Sequence, residues 1–129
     1  MSERSFDYSF SEDKTSFTVK KRAQEDRLYL LDLVRVLGPY PAGLRRWSVM
    51  RRIRKNRDIA GLPIPQKMED AVERVFRNHC ADSEYLNKLD RAPEKALFYW
   101  PEGRAGGVWA VYPDRAESWL KAEGARISI

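Results

Sequence analysis

Arg45, Arg51, Arg52 and Lys55, in the stretch LRRWSVMRRIRKNRDIAG, carry the first chemistry that the sequence offers. At about 100° per residue a helix over residues 44–61 gathers these four cations, with Ser48, on one arc. The opposite arc holds Trp47, Val49, Met50 and Ile53, which read as the buried face. Arg46, Arg54 and Arg57 fall within or beside that apolar arc and are expected to run outward along their stems. Cations one helical turn apart neutralise phosphates, and arginine adds a planar fork that grips two oxygens at once.

Two further places could meet a polyanion. A helix over residues 66–80, QKMEDAVERVFRNHC, turns Lys67, Arg74 and Arg77 outward, side chains of the kind that read base edges. Its solvated alternative is a face laced by Asp70–Arg74 and Glu73–Arg77 ion pairs. Arg104, among the glycines of PEGRAGG, suits a phosphate or minor-groove contact from a loop tip. That loop is no P-loop, because it lacks the GxxxxGK[ST] pattern and its lysine.

Catalytic constellations are weak by comparison. His79 and Cys80 are adjacent, but neighbours in a helix point about 100° apart and no third group orients them. Asp90, Glu94 and Lys95 lack the E-x-K spacing of a metal nuclease. One cysteine and one histidine cannot supply a four-ligand zinc site or an internal disulfide. No catalytic residue, metal or cofactor is expected.

The elements that must position these groups follow from apolar periodicity and its breakers. RAQEDRLYLLDLVRVL, residues 22–37, is apolar nearly all round, with Glu25, Asp32 and Arg35 on a narrow polar side, and reads as a central core helix ended by Gly38 and Pro39. The basic helix follows, ended by Gly61. The third helix offers Met68, Ala71, Val72, Val75 and Phe76 as its buried stripe, with His79 on the same arc. A polar connector over residues 81–95 has room for a short helix near Ser83–Leu89. Leu97–Trp100 and Val108–Tyr112 are short aromatic and β-branched runs around a glycine-rich turn, the pattern of a hairpin. On a lone hairpin only alternate side chains face the core, Leu97 with Tyr99 or Phe98 with Trp100. Filling a small core is the commoner use of such aromatics, and base stacking the rarer one. A last helix, Asp114–Ala122, brings Ala116, Trp119 and Leu120, with Asp114 placed to cap it. Residues 1–20 alternate Phe6, Tyr8 and Phe10 with polar residues and read as a flexible or arm-like segment before a single domain over 21–129.

The charge is unevenly spread along these elements. The chain has 129 residues and a net charge of +5. Residues 21–57 carry eleven basic and three acidic side chains, whereas residues 58–129 carry ten basic and twelve acidic. A concentrated excess of this kind is the footprint of a polyanion partner, nucleic acid above all. There is no apolar run long enough to cross a membrane and no apolar leader, so a cytoplasmic protein is expected.

Helix, helix, helix, hairpin, helix, with GGVWAVYPDRAESWL as its most specific piece, resembles a winged helix-turn-helix domain. The likeness is loosest in the helices and nearest to the N-terminal DNA-binding domain of Mrr-type restriction proteins, over roughly residues 22–121. It does not extend to that family's nuclease domain. The resemblance implies an α+β fold, a three-helix core followed by a two-stranded wing and a short C-terminal helix. It also implies major-groove reading by the third helix, although here the strongest basic face belongs to the second. The expectation is a protein that binds double-stranded DNA, sequence-specifically or generally, as a transcriptional regulator or accessory factor. Its expected contacts are Arg45, Arg51, Arg52, Lys55, Lys67, Arg74, Arg77 and Arg104. A homodimer through the N-terminal arm or the last helix would add a second half-site. The alternative is a protein–protein adaptor on the same scaffold, which would expose Phe98, Trp100 or Trp109 as an apolar patch.

Overall fold

The computed structural model describes residues 21–88 and 92–128, so the N-terminal arm expected over 1–20 lies outside the described residues. The fold is α+β, with five α-helices and a small antiparallel sheet among the described residues. Helix α1 covers residues 21–37 and closes at Gly38, whose N–H donates to the Val34 carbonyl at 2.9 Å. A turn then delivers a two-residue strand, β1 (Leu44–Arg45), and α2 (Arg46–Ala60) follows directly. Sequence periodicity had run that helix from residue 44. The structure corrects this, because Leu44 and Arg45 pair with Trp109 and Val108.

Gly43 makes that pairing feasible. Its φ is +90°, and a Cβ there would meet the Trp109 carbonyl oxygen at 2.6 Å and Val108 Cγ1 at 2.8 Å. Helix α2 ends as its sequence says it should. Gly61 adopts φ 69°, ψ 24°, its N–H donates to Asp58 O, and the Leu62 N–H reaches back to Arg57 O at 2.8 Å, a left-handed cap that satisfies the last carbonyls.

Helix α3 (Met68–Asn78) starts two residues later than expected, which leaves Gln66 and Lys67 in the turn before it. The short helix α4 (Glu84–Lys88) is held at its start by Ser83, whose Oγ accepts the Tyr85 N–H at 3.2 Å. The hairpin pairs β2 (Phe98–Tyr99) with β3 (Val108–Val111), Phe98 opposite Val111 and Tyr99 opposite Ala110. Helix α5 (Pro113–Ser128) begins with proline at its first position rather than with a capping Asp114, and runs longer than the 114–122 expected.

The sheet order β1-β3-β2 puts β3 in the middle. Cys80 extends the β2 side by a parallel bridge to Phe98, with the Phe98 N–H donating to His79 O and the Ala81 N–H to Phe98 O. This explains a departure from the lone-hairpin expectation. All four β3 residues are buried, because Trp109 and Val111 face the helices while Val108 and Ala110 lie under the turn that carries Gly43. Leu97, Phe98 and Trp100 are buried together, and Tyr99 is half-buried, stacked on Tyr112 at 4.5 Å.

The core joins Leu33, Val34 and Leu37 of α1, Val49 and Ile53 of α2, and Met68, Val72 and Phe76 of α3 to the aromatic residues of the hairpin. Phe76 stands between Phe98 and Trp109, with ring centroids 5.0 and 4.1 Å away. Ala116 and Trp119 of α5 complete the core, whereas Leu120 is exposed, against expectation.

Arg57 is a second correction. It does not run outward but is 5% exposed, within the core. Its guanidinium meets Asp32 at 2.7 Å, donates to the Pro63 carbonyl and lies over the Tyr29 ring at 4.7 Å. Burial pushes the Asp32 carboxyl above its ordinary range, against the pull of Arg57. A pair set this deep punishes the loss of either partner more than the loss of both. We expect Arg57→Leu alone to lower unfolding free energy by about 3 kcal/mol, and Asp32→Leu/Arg57→Leu to restore most of it in urea melts. Additive losses in the double variant would show that the two residues are uncoupled.

Candidate nucleic-acid interface

The outward face of α2 carries Arg51, Arg52 and Lys55 in the open, and Arg45 projects from β1 just before it. The register explains why. Val49, Met50, Ile53 and Arg57 form the buried arc, so residues one or two positions off that arc in either direction must face water. Arg52 is partly ordered on this face: its guanidinium lies over the Tyr40 ring at 4.7 Å and its Nε is 3.5 Å from Ser48 Oγ.

What separates these four cations from the other arginines of α2 is the absence of carboxylates. Among the described residues, none of Arg45, Arg51, Arg52 and Lys55 has an acidic partner within 4.0 Å. The other arginines of α2 are committed elsewhere. Arg46 pairs with Glu73 at 2.6 Å, Arg54 with Glu69 at 2.8 Å and Arg57 with Asp32. The helix thus spends three arginines on binding α1 and α3 and leaves the others facing solvent.

The candidates on α3 stand differently. Arg74 is held by Asp26 of α1 at 2.5 Å. Arg77 shares Glu73 with Arg46, at 3.1 Å, and lies over the Tyr85 ring. A base contact by either would require exchanging a carboxylate for a base acceptor. Lys67 is exposed at the N-terminal end of α3 and shares with Arg74 a shallow cleft of about 410 Å³ between α1 and α3, together with Lys21, Arg22, Glu25 and Asp26. Arg104 is exposed at the hairpin turn and lines, with Arg77, a hollow of about 270 Å³ that also holds Asp82 and Glu84.

The eight expected contacts therefore fall into three places: a face on α2 and its approach whose four cations meet no carboxylate among the described residues, with Asp58 exposed near its far end, and two clefts of mixed charge. The first is joined to the hairpin turn by the backbone, because the Arg46 N–H donates to the Gly107 carbonyl at 3.2 Å.

One feature of the face departs from the sequence expectation. Trp47, assigned to the core arc, is 63% exposed on the same side as Arg51. The cue was present: Trp47 lies a full turn, about 40°, from Arg51 but about 120° from Ile53. Among the other aromatic residues weighed for stacking, Phe98, Trp100 and Trp109 are all buried.

The remaining chemistry stays quiet. Cys80 is fully buried, and burial pushes its thiol up to about 11, so no thiolate forms near neutral pH. Glu94 and Lys95 are exposed on a single turn of 3-10 helix, and Asp90 lies outside the described residues. Among the described residues no three His, Cys, Asp or Glu side chains gather as a metal site would need, and no helix is long and apolar enough to cross a membrane. No family model, curated protein or solved structure matches the chain.

Proposed function

We propose that this protein binds double-stranded DNA through the outward face of α2, as a winged-helix regulator or accessory factor. The observation that carries the reading is the segregation of charge. Arg45, Arg51, Arg52 and Lys55 meet no carboxylate among the described residues, while the arginines on the other arcs of α2 are neutralised. Cations kept apart from acidic partners on an exposed face lose little on meeting phosphate and release its counterions. The winged-helix part rests on element order, three core helices followed by a two-stranded hairpin, with Arg104 at the turn that adjoins the start of α2. The adaptor reading calls for an apolar hairpin surface, and the burial of Phe98, Trp100 and Trp109 weighs against it.

Fluorescence anisotropy with a labelled random-sequence duplex over a range of salt concentrations tests the proposal. If the four cations each neutralise one phosphate, log K falls with log salt at a slope of about −3.6. Affinity that ignores salt, or no binding in dilute salt, would overturn it.

A further inference from the structure

Trp47 is out of place by the standards of this molecule. Trp100 and Trp109 are buried and Trp119 is half-buried, yet Trp47 is 63% exposed on the cationic face. Among the described residues its indole stacks on no ring and lies under no guanidinium, although Arg52, Arg57, Arg77 and Arg115 each cover a tyrosine. Arg51 follows it by one turn on the same face, and Arg45 precedes it.

An apolar docking surface for a protein would need neighbours to continue it. The other large exposed apolar residues of this region, Ile59 and Leu62, lie beyond the far end of the cationic row, roughly 18 Å along the axis from Trp47 at 1.5 Å per residue. One and two turns after Trp47, on its side of α2, stand Arg51 and Arg54, not aliphatic residues. A flat π-surface set among cations that accept phosphate matches the two halves of a nucleotide, the base and its backbone. Base–aromatic stacking works on any base but needs the base to be out of its own stack.

We infer that Trp47 stacks on an unpaired nucleobase, so that the α2 face binds DNA bearing unpaired bases more tightly than a fully paired duplex. The inference rests on the DNA-binding reading above and specifies the form of DNA that the face prefers. The cations hold the backbone of either form. The indole gains a partner only where a base is free to leave the helix.

The test compares two probes by anisotropy: a random-sequence duplex and the same duplex with a short central bubble of unpaired bases. The wild-type protein is expected to bind the bubble about tenfold more tightly. Trp47→Ala is expected to erase that preference while leaving duplex affinity within about twofold, and Trp47→Phe to keep part of it. Because Trp47 is exposed, both variants should fold with unchanged thermal melts. Indole emission gives a second readout, as quenching by the bubble should be present in wild type and lost in Trp47→Phe. Equal affinity of wild type for both probes overturns the stacking inference alone. Equal losses on both probes in Trp47→Ala do the same. Failure of wild type to bind either probe overturns the DNA-binding reading itself, whereas binding of the bubble without the duplex would retain the stacking and overturn the double-stranded reading.

Discussion

Replacing Arg51, Arg52 and Lys55 together with alanine is expected to weaken duplex binding about 500-fold at 0.1 M salt and to leave the fold intact. The size follows from counterion release. Each phosphate neutralised contributes about 0.9 to the salt exponent, so three fewer contacts remove a factor of 0.1 raised to about −2.7. The same variant should flatten the salt slope from about −3.6 to about −0.9, leaving Arg45 alone. Folding should hardly notice, because the three side chains are exposed, none holds an ion pair among the described residues, and alanine is the best helix former. The contacts given up are those of Arg52 with the Tyr40 ring, worth about 0.5 kcal/mol at an exposed site, and with Ser48 Oγ at 3.5 Å. A control removes charge without touching the face: Lys121→Ala, on α5 and paired with Glu117, should change affinity less than about twofold. Comparable losses in both variants would mean that net charge, and not this face, drives binding.

The second large effect is structural. Phe76→Ala is expected to lower unfolding free energy by about 4 kcal/mol, measured by urea denaturation. Phe76 is fully buried and stacked on both sides, against Phe98 and Trp109, and its ring is 6.0 Å from that of Trp100. Alanine leaves a cavity walled by rings that belong to two strands, and such walls collapse poorly. The loss is a large share of the 5–15 kcal/mol typical of a domain, so the variant should be partly unfolded in mild denaturant. Phe76→Leu keeps most of the volume and should cost about 1.5 kcal/mol. The consequence reaches the interface as well. Phe76 fixes α3 to the hairpin, and the hairpin turn holds the first residue of α2 through the Gly107 carbonyl. A cost below about 1 kcal/mol would show that the stack is not packed as described.

Much of this arrangement is legible without coordinates. Helix α1 announces itself by its apolar period and by Gly38, α2 by its cationic arc and Gly61, and the hairpin by two β-branched, aromatic runs around glycines. These are local signals, written in spacing and in backbone freedom, and the local chain obeys them. The cationic character of Arg45, Arg51, Arg52 and Lys55 is likewise a matter of residue type and of register on one helix.

Other features depend on partners far away in the chain. Two residues cannot show an alternation, so β1 becomes visible only through its pairing with Val108 and Trp109. That pairing makes β3 central, which in turn buries aromatic residues that a lone hairpin would have left half outside. Nor does the sequence say which arginine is free. Asp26 and Asp32 on α1, and Glu69 and Glu73 on α3, choose Arg46, Arg54, Arg57 and Arg74 by proximity across helix–helix contacts, whereas the Arg77–Glu73 pair lies within α3 at a spacing the sequence shows. On α2 and its approach, the four cations left over are defined by that choice. Trp47 joins them because the buried arc of α2 is centred on Val49, Met50, Ile53 and Arg57, and Trp47 lies beside that arc. The sequence by itself determined the helices, the hairpin and how much positive charge α2 carries. The tertiary structure decided which of those charges stay unpaired, since burial and pairing are settled between segments and not within them.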